Sequence, residues 1–197
     1  MVFDLRRLGA SARAASLGPI AAFAIGDTAP AFELPDTDGM THSVPAEEEA
    51  PAATVIFVTC NHCPYVHKWN PRLRKAAEEY GPRDVRFLAI NSNDATRKPA
   101  DSLERMQQFV RDQDWPMPYL HDESQEVARS LGAVATPHVF VLDGEHRLVY
   151  TGAPDEDHED DSRDAAWLRG ALDAVLAGEE PDPAETPARG CSVKWRD

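Results

Sequence analysis

Cys60-Asn61-His62-Cys63 places two thiols and an imidazole within four residues. Cysteines at this spacing read as a dithiol redox site. The thiolate is the nucleophile in disulfide exchange, so anything that lowers a thiol pKa here serves that chemistry. A helix N-terminus does so through unpaired N–H groups and partial positive charge. Pro64 and a helix-like segment follow the motif at once. Cys60, nearer the exposed edge of this junction, is expected to attack a substrate disulfide. Cys63 then resolves the mixed disulfide and leaves a Cys60–Cys63 bond. His62 either lowers the pKa of the neighbouring thiol, which makes the disulfide more oxidising, or is a solvent-facing imidazole without influence. His67, one helical turn beyond Cys63, is a candidate for proton transfer or an ordinary surface residue.

The same residues admit a second chemistry. Cys60, His62, Cys63 and His67 together offer soft ligands for Zn²⁺ or Cu(I). No second Cys-x-x-Cys or histidine pair completes a closed tetrahedral site, so neither a metal nor a cofactor is expected.

The elements that must position the motif are legible around it. Thr54-Val55-Ile56-Phe57-Val58-Thr59 is an apolar, β-branched run with both faces hydrophobic, as in a central buried strand. Val66, Trp69, Leu73, Ala76 and Tyr80 recur at helical spacing, with Pro64 tolerated in the first turn and Gly81-Pro82 as the stop. Pro71 predicts a kink. Val85–Ile90 reads as a second strand, followed by the polar loop Asn91–Asp94. Asp101-Ser102-Leu103-Glu104 has the form of a capping box that opens a helix to about Arg111. A short strand (Met117–Leu120) and a short helix (Ser124–Leu131) follow. His138–Leu142 and Arg147–Tyr150 then form a hairpin about Asp143-Gly144. Ala165–Ala177 is the last amphipathic helix. Upstream, Gly26–Val44 reads as a β-hairpin or extended lead-in. Strands alternating with helices and ending in a hairpin predict an α/β fold with a mixed central sheet, flanked by helices on both faces.

The chain has 197 residues and a formal net charge of −14. That charge disfavours nucleic acid and anionic lipid as partners, and no apolar run is long enough for a membrane span. Three cysteines are too few for a disulfide scaffold at this length. Arg6-Arg7 and the apolar stretch Ala14–Ile25 have part of the form of an export signal, but Arg13 and Gly18-Pro19 interrupt it. A cytoplasmic protein with an N-terminal extension over 1–25 is expected, then a domain over 26–178 and a tail over 179–197. The acidic loop 155–161 reads as solvated surface. His42, His121, His138, His146 and His158 read as structural or solvent-facing.

The Cys-x-x-Cys site at a strand end, the proline in the following helix and Thr136-Pro137 before the late hairpin together resemble the thioredoxin fold. Cys60-Asn-His-Cys-Pro-Tyr-Val, Ala89-Ile-Asn-Ser-Asn-Asp, Pro118-Tyr-Leu and Gly190-Cys-Ser-Val-Lys-Trp are similar to a peroxiredoxin-like subgroup of redoxin proteins. The resemblance implies an extra α/β insertion between Ile90 and Leu120. It also implies a cis Thr136–Pro137 bond whose backbone lies beside the dithiol, and thiol–disulfide oxidoreductase activity with a protein or small-molecule thiol or disulfide as partner. It implies an ordered, docked tail anchored by Trp195, which leaves Cys191 either an auxiliary thiol or a bystander. Two departures stand out. The peroxiredoxin motif Pro-x-x-x-Thr-x-x-Cys fits neither cysteine: Ile56 and Cys60 occupy the key positions counted from Cys63, Ala53 and Phe57 those counted from Cys60. Thr54 stands where thioredoxin has a buried carboxylate. Atypical thiol peroxidase activity and a redox-sensing role remain alternatives, and the oligomeric state is open.

Overall fold

The alternation along the first long strand sets the architecture, because its two faces are buried in two different cores. The computed structural model describes residues 23–46 and 50–197. In chain order, β1 (Phe32–Pro35) and β2 (Thr41–Val44) form an antiparallel hairpin. β3 (Ala53–Thr59) leads into α1 (Pro64–Tyr80), β4 (Val85–Asn91) into α2 (Leu103–Gln113), and β5 (Tyr119–His121) into α3 (Glu126–Ser130). The two-residue β6 (Ala135–Thr136) precedes β7 (His138–Asp143) and β8 (Leu148–Gly152). Then come α4 (Ala166–Ala177) and β9 (Cys191–Ser192).

The central sheet runs β5-β4-β3-β7-β8. β3, β4 and β5 are parallel, while β7 and β8 are antiparallel to their neighbours. Every residue of β3 is buried. Ala53, Val55 and Phe57 face a core shared with Trp69 and Leu73 of α1, Met106 of α2 and Leu168 and Leu172 of α4. Ile56 and Val58 face the opposite core, built with Val127 and Leu131 near α3, Leu34 and Val44 of the hairpin, and Val193 of the tail. Each fully buried Phe, Leu or Ile stabilises this arrangement by about 1.5–3 kcal/mol. The mixed α/β fold with helices on both faces is therefore present, although on one face a single short helix shares the work with the hairpin and the tail.

Element boundaries shift by a few residues from the sequence expectation, and three differences matter. α1 is continuous through Pro71. The N-cap of α2 is Ser102, whose hydroxyl accepts from the Arg105 N–H at 3.4 Å. Asp101 instead ends a short 3₁₀ turn, Pro99–Asp101, with its side chain fully buried. The capping-box pattern was satisfied by the wrong residue: the carboxylate has stronger donors elsewhere. Third, the acidic loop is not uniformly solvated. Asp155 is buried, accepting from Trp69 Nε1 at 2.9 Å, Arg72 Nη1 at 2.8 Å and the Ala165 N–H at 3.1 Å. It locks the loop after β8 onto α1, while Glu156, Glu159 and Asp161 stay in solvent. No helix among the described residues is long and apolar enough to cross a membrane. The expectations for residues 1–22, including the export question, lie outside the described residues, as does most of the acidic stretch after β2.

Candidate active site

β3 delivers the motif to its C-terminal end, and the chain turns there into α1 with Cys63 as the N-cap. All three cysteines are free thiols. Cys60 and Cys63 are both buried, at 2% and 0% exposure, so accessibility does not separate them. This removes the reason for assigning the attack to Cys60.

The backbone between the two cysteines is clamped by one carboxylate from the insertion. Asp101 Oδ1 accepts from the Asn61 N–H at 2.8 Å and the His62 N–H at 3.2 Å. Its Oδ2 bonds to His62 Nδ1 at 2.5 Å and accepts from Asn93 Nδ2 at 2.9 Å. Asn61 itself donates to the Ala100 carbonyl and accepts from the Tyr119 hydroxyl, each at 3.0 Å. A buried carboxylate is tolerated only with such a set of partners.

Thr136 closes the other side. The Thr136–Pro137 bond is cis. Cys60 Sγ lies 3.3 Å from Thr136 Oγ1, and Cys63 Sγ lies 3.1 Å from the Thr136 carbonyl oxygen. Opposite Thr136, in register, stands Cys191 of β9. Its side chain packs on the pair of buried cysteines together with Tyr65.

These neighbours distribute the charge unequally. The Cys60 thiol, the Cys191 side chain, the Val66 N–H of the first helical turn and the Cys191 N–H all direct hydrogen toward Cys63. They pull its pKa from 9.0 down to about 4 against the opposing effect of burial. Cys60 moves the other way, because its proton bonds to Cys63, the site is desolvated and the Asp101 charge is close. The Thr136 carbonyl favours a protonated Cys63, but it is one acceptor facing several donors. The two sulfurs are coupled: their contact lowers the pKa of Cys63 and raises that of Cys60. In the reduced protein, one ultraviolet thiolate signal is therefore expected to persist to about pH 4. Cys60→Ala removes the donor to Cys63, so the inflection should move to higher pH in a direct titration; an unchanged inflection would contradict the contact between the two sulfurs.

The other predicted residues fall in different places. His62 is at the site, held by Asp101. His67 donates its backbone N–H to the Cys63 carbonyl at 3.1 Å, but its side chain lines a separate cleft with Tyr65, Lys68 and His158. The set Cys60–His62–Cys63–His67 is therefore not assembled. The ligand atoms of Cys60, His62 and Asp101 do lie within 4.8 Å of one another, yet His62 Nδ1 and Asp101 Oδ2 are already bonded to each other. His138 is buried, its Nδ1 accepting from the Val134 N–H at 3.3 Å, and burial pushes its pKa down to about 4. It is structural. Sequence reasoning missed Asp101 and Tyr119. Pro99, which opens the short 3₁₀ turn ending at Asp101, was the one signal that the capping box began too early.

The tail is seated rather than loose. The Lys194 N–H donates to Asn93 Oδ1 at 2.7 Å, its carbonyl accepts from the Asp94 N–H at 2.9 Å, and the Arg196 N–H donates to Gln125 Oε1 at 2.7 Å. The Arg129 guanidinium stacks on Trp195 at 4.3 Å from the ring centroid. A Cβ on residue 190 would collide with the Thr136 carbonyl, so only glycine lets β9 approach β6 here.

Comparisons with known proteins bear on the family and the fold. The AhpC/TSA family profile matches residues 25–151. An uncharacterized conserved protein from Geobacillus kaustophilus is 38% identical, with a TM-score of 0.83 over 89% of this chain and 94% of its own. A hypothetical protein from Sinorhizobium meliloti is 37% identical, with a TM-score of 0.83 over 89% and 96%. Peroxidoxin BcpB from Mycobacterium tuberculosis shares the fold at 20% identity, with a TM-score of 0.58 over 78% and 96%. A comparison with curated proteins finds no match.

Proposed function

Since the chain belongs to the AhpC/TSA family and has a thioredoxin-like fold, we propose that it is a thiol–disulfide oxidoreductase working through Cys60 and Cys63. The observation that carries this reading is the pair of buried, free cysteines at the start of α1, set against the cis Thr136–Pro137 peptide. Cys63 attacks one sulfur of a substrate disulfide and expels the other as a thiol. Cys60 then attacks Cys63, releases the second substrate thiol and closes the Cys60–Cys63 disulfide. The one proton held by the pair goes to the first substrate sulfur; the second leaves as a thiolate and takes its proton from water. These roles are the reverse of those expected from the position of Cys60 at the strand end.

A thiolate stabilised in the reduced form makes the corresponding disulfide a stronger oxidant. Equilibration in glutathione buffers, with thiol trapping and mass spectrometry, should give a reversible Cys60–Cys63 couple more oxidising than the thioredoxin value of about −270 mV. A couple at or below that value would contradict the stabilising role given to Cys63, and a pair that cannot be cycled would remove the whole reading. Peroxidase chemistry is the weaker alternative: Ile56 and Cys60 fill the proline and threonine positions of the peroxidatic motif, and the hydroxyl that meets Cys60 comes instead from Thr136, at 3.3 Å.

A further inference from the structure

The dithiol has an access problem. Both of its sulfurs are essentially without solvent contact, and the protein's own tail packs over them through the half-buried Cys191. An unpaired strand edge can recruit an extended polypeptide. Here the edge of β6 is already paired, residue for residue, with Ala135 against Ser192 and Thr136 against Cys191.

The geometry points to Cys191 as a third exchange thiol: we propose that β9 is a built-in partner strand, and that Cys191 receives the disulfide from the buried pair and presents it to low-molecular-weight thiols at the surface. The inference rests on the dithiol reading above and names its substrate class. Three observations support it. Cys191 packs directly on the Cys60–Cys63 cluster and interacts with the Cys63 sulfur. The close approach is built in by Gly190, which alone fits beneath the Thr136 carbonyl. Finally, residues 193–196 are bolted to the loop after β4 and to Gln125, so the thiol does not wander.

The chemistry balances without an added oxidant in the first step. The Cys191 thiolate attacks Cys63 Sγ of the Cys60–Cys63 disulfide. That bond breaks, a Cys63–Cys191 bond forms, and Cys60 leaves and takes up the proton that Cys191 gave up. A small thiol then attacks Cys191 Sγ and expels Cys63, whose preference for the thiolate makes it the better leaving group. A second small thiol frees Cys191 and yields the small-molecule disulfide, so two thiols are oxidised for each protein disulfide reduced. The reduced protein guards against the reverse error. Burial, together with the hydrogen bond to Cys63 and the Cys63 charge, holds the Cys191 thiol up at about 11, opposed by Lys194 and Lys98. The two contributions from Cys63 disappear once Cys63 is in a disulfide. Cys191 thus gains nucleophilicity at the moment there is a bond for it to attack.

The test uses the full chain. Trypsin cleavage after Arg189 and Lys194 frees the peptide 190–194, which carries Cys191 alone. Cys60→Ser treated with glutathione disulfide and quenched in acid should yield this peptide linked to the Cys63 peptide. Cys191→Ser and Cys191→Ala should both still form the Cys60–Cys63 disulfide, yet be reduced by glutathione at least about tenfold more slowly than the unaltered protein. Absence of the 190–194 linkage in Cys60→Ser, or reduction of both Cys191 variants at the unaltered rate, would overturn the relay and leave the dithiol reading intact. Failure of the unaltered protein and the Cys191 variants to form a Cys60–Cys63 disulfide would instead remove that reading, and the relay with it.

Discussion

Cys63→Ser is expected to abolish thiol–disulfide exchange, with a loss on the order of 10³-fold or more. The reason is the uneven environment of the two sulfurs. Cys63 is the N-cap of α1, with donors converging on it from Cys60, Cys191 and Val66. Cys60 is flanked by Asp101 and has no helix amide to stabilise a negative charge. With serine at 63 the remaining Cys60 is still desolvated and close to the Asp101 charge, both of which oppose its ionisation, and a thiol is a slow nucleophile. The informative companion is the double variant Cys60→Ser, Cys191→Ser, which retains the attacking thiolate and loses both thiols that could resolve it. It should accumulate a mixed disulfide at Cys63 when given a disulfide substrate, detectable by non-reducing electrophoresis and peptide mapping. The roles would have to be exchanged if the stable adduct formed in Cys63→Ser, Cys191→Ser and not in Cys60→Ser, Cys191→Ser.

The second large effect belongs to Asp101, a positioning residue. Asp101→Asn keeps the shape of the side chain but turns an NH₂ group toward donors that the carboxylate now accepts from: the Asn61 and His62 N–H groups, His62 Nδ1 and Asn93 Nδ2. Leaving buried donors unpaired costs about 3 kcal/mol, so Tm should fall by roughly 6–12 °C for a chain of this size. A merely structural role would stop there. The Asp101 charge also opposes ionisation of Cys60, and its removal should move the pH profile of Cys60–Cys63 closure toward lower pH. Rapid-quench measurement of closure against pH reads this directly. A profile that stays in place while Tm falls would restrict Asp101 to holding the loop.

The sequence carried the scaffold well where pattern and packing coincide. β3 announces itself because both faces are apolar, and the structure gives each face its own core. Pro64 after Cys63 marked the helix start to the residue. Legibility fails where a local signal competes with a distant partner. Asp101-Ser102-Leu103-Glu104 satisfies a capping pattern at either of two positions, and only the presence of Asn61, His62 and Asn93 around residue 101 decides that Ser102 caps while Asp101 serves the dithiol loop. Asp155 is a similar case: one of several acidic residues in a row, distinguished only by Trp69 and Arg72, which reach it from α1. Which cysteine attacks is illegible for the same reason: relative depth in the motif says nothing about which sulfur has Cys191 beside it, since that residue is far away in the chain.

The seating of the tail also sets the order in which the site is completed during synthesis. β3, α1 and β4 pair locally, so the dithiol can take shape from contacts made early. Its cover depends on Lys194 reaching Asn93, 101 residues earlier in the chain. At translation speeds of about 5–20 residues per second, that separation corresponds to roughly 5–20 s. For this interval a nascent chain carries its reactive sulfurs uncapped, open to small oxidants and to neighbouring nascent chains. The finished molecule buries them only when its last strand docks. The nascent chain is thus the form in which the pair is most exposed.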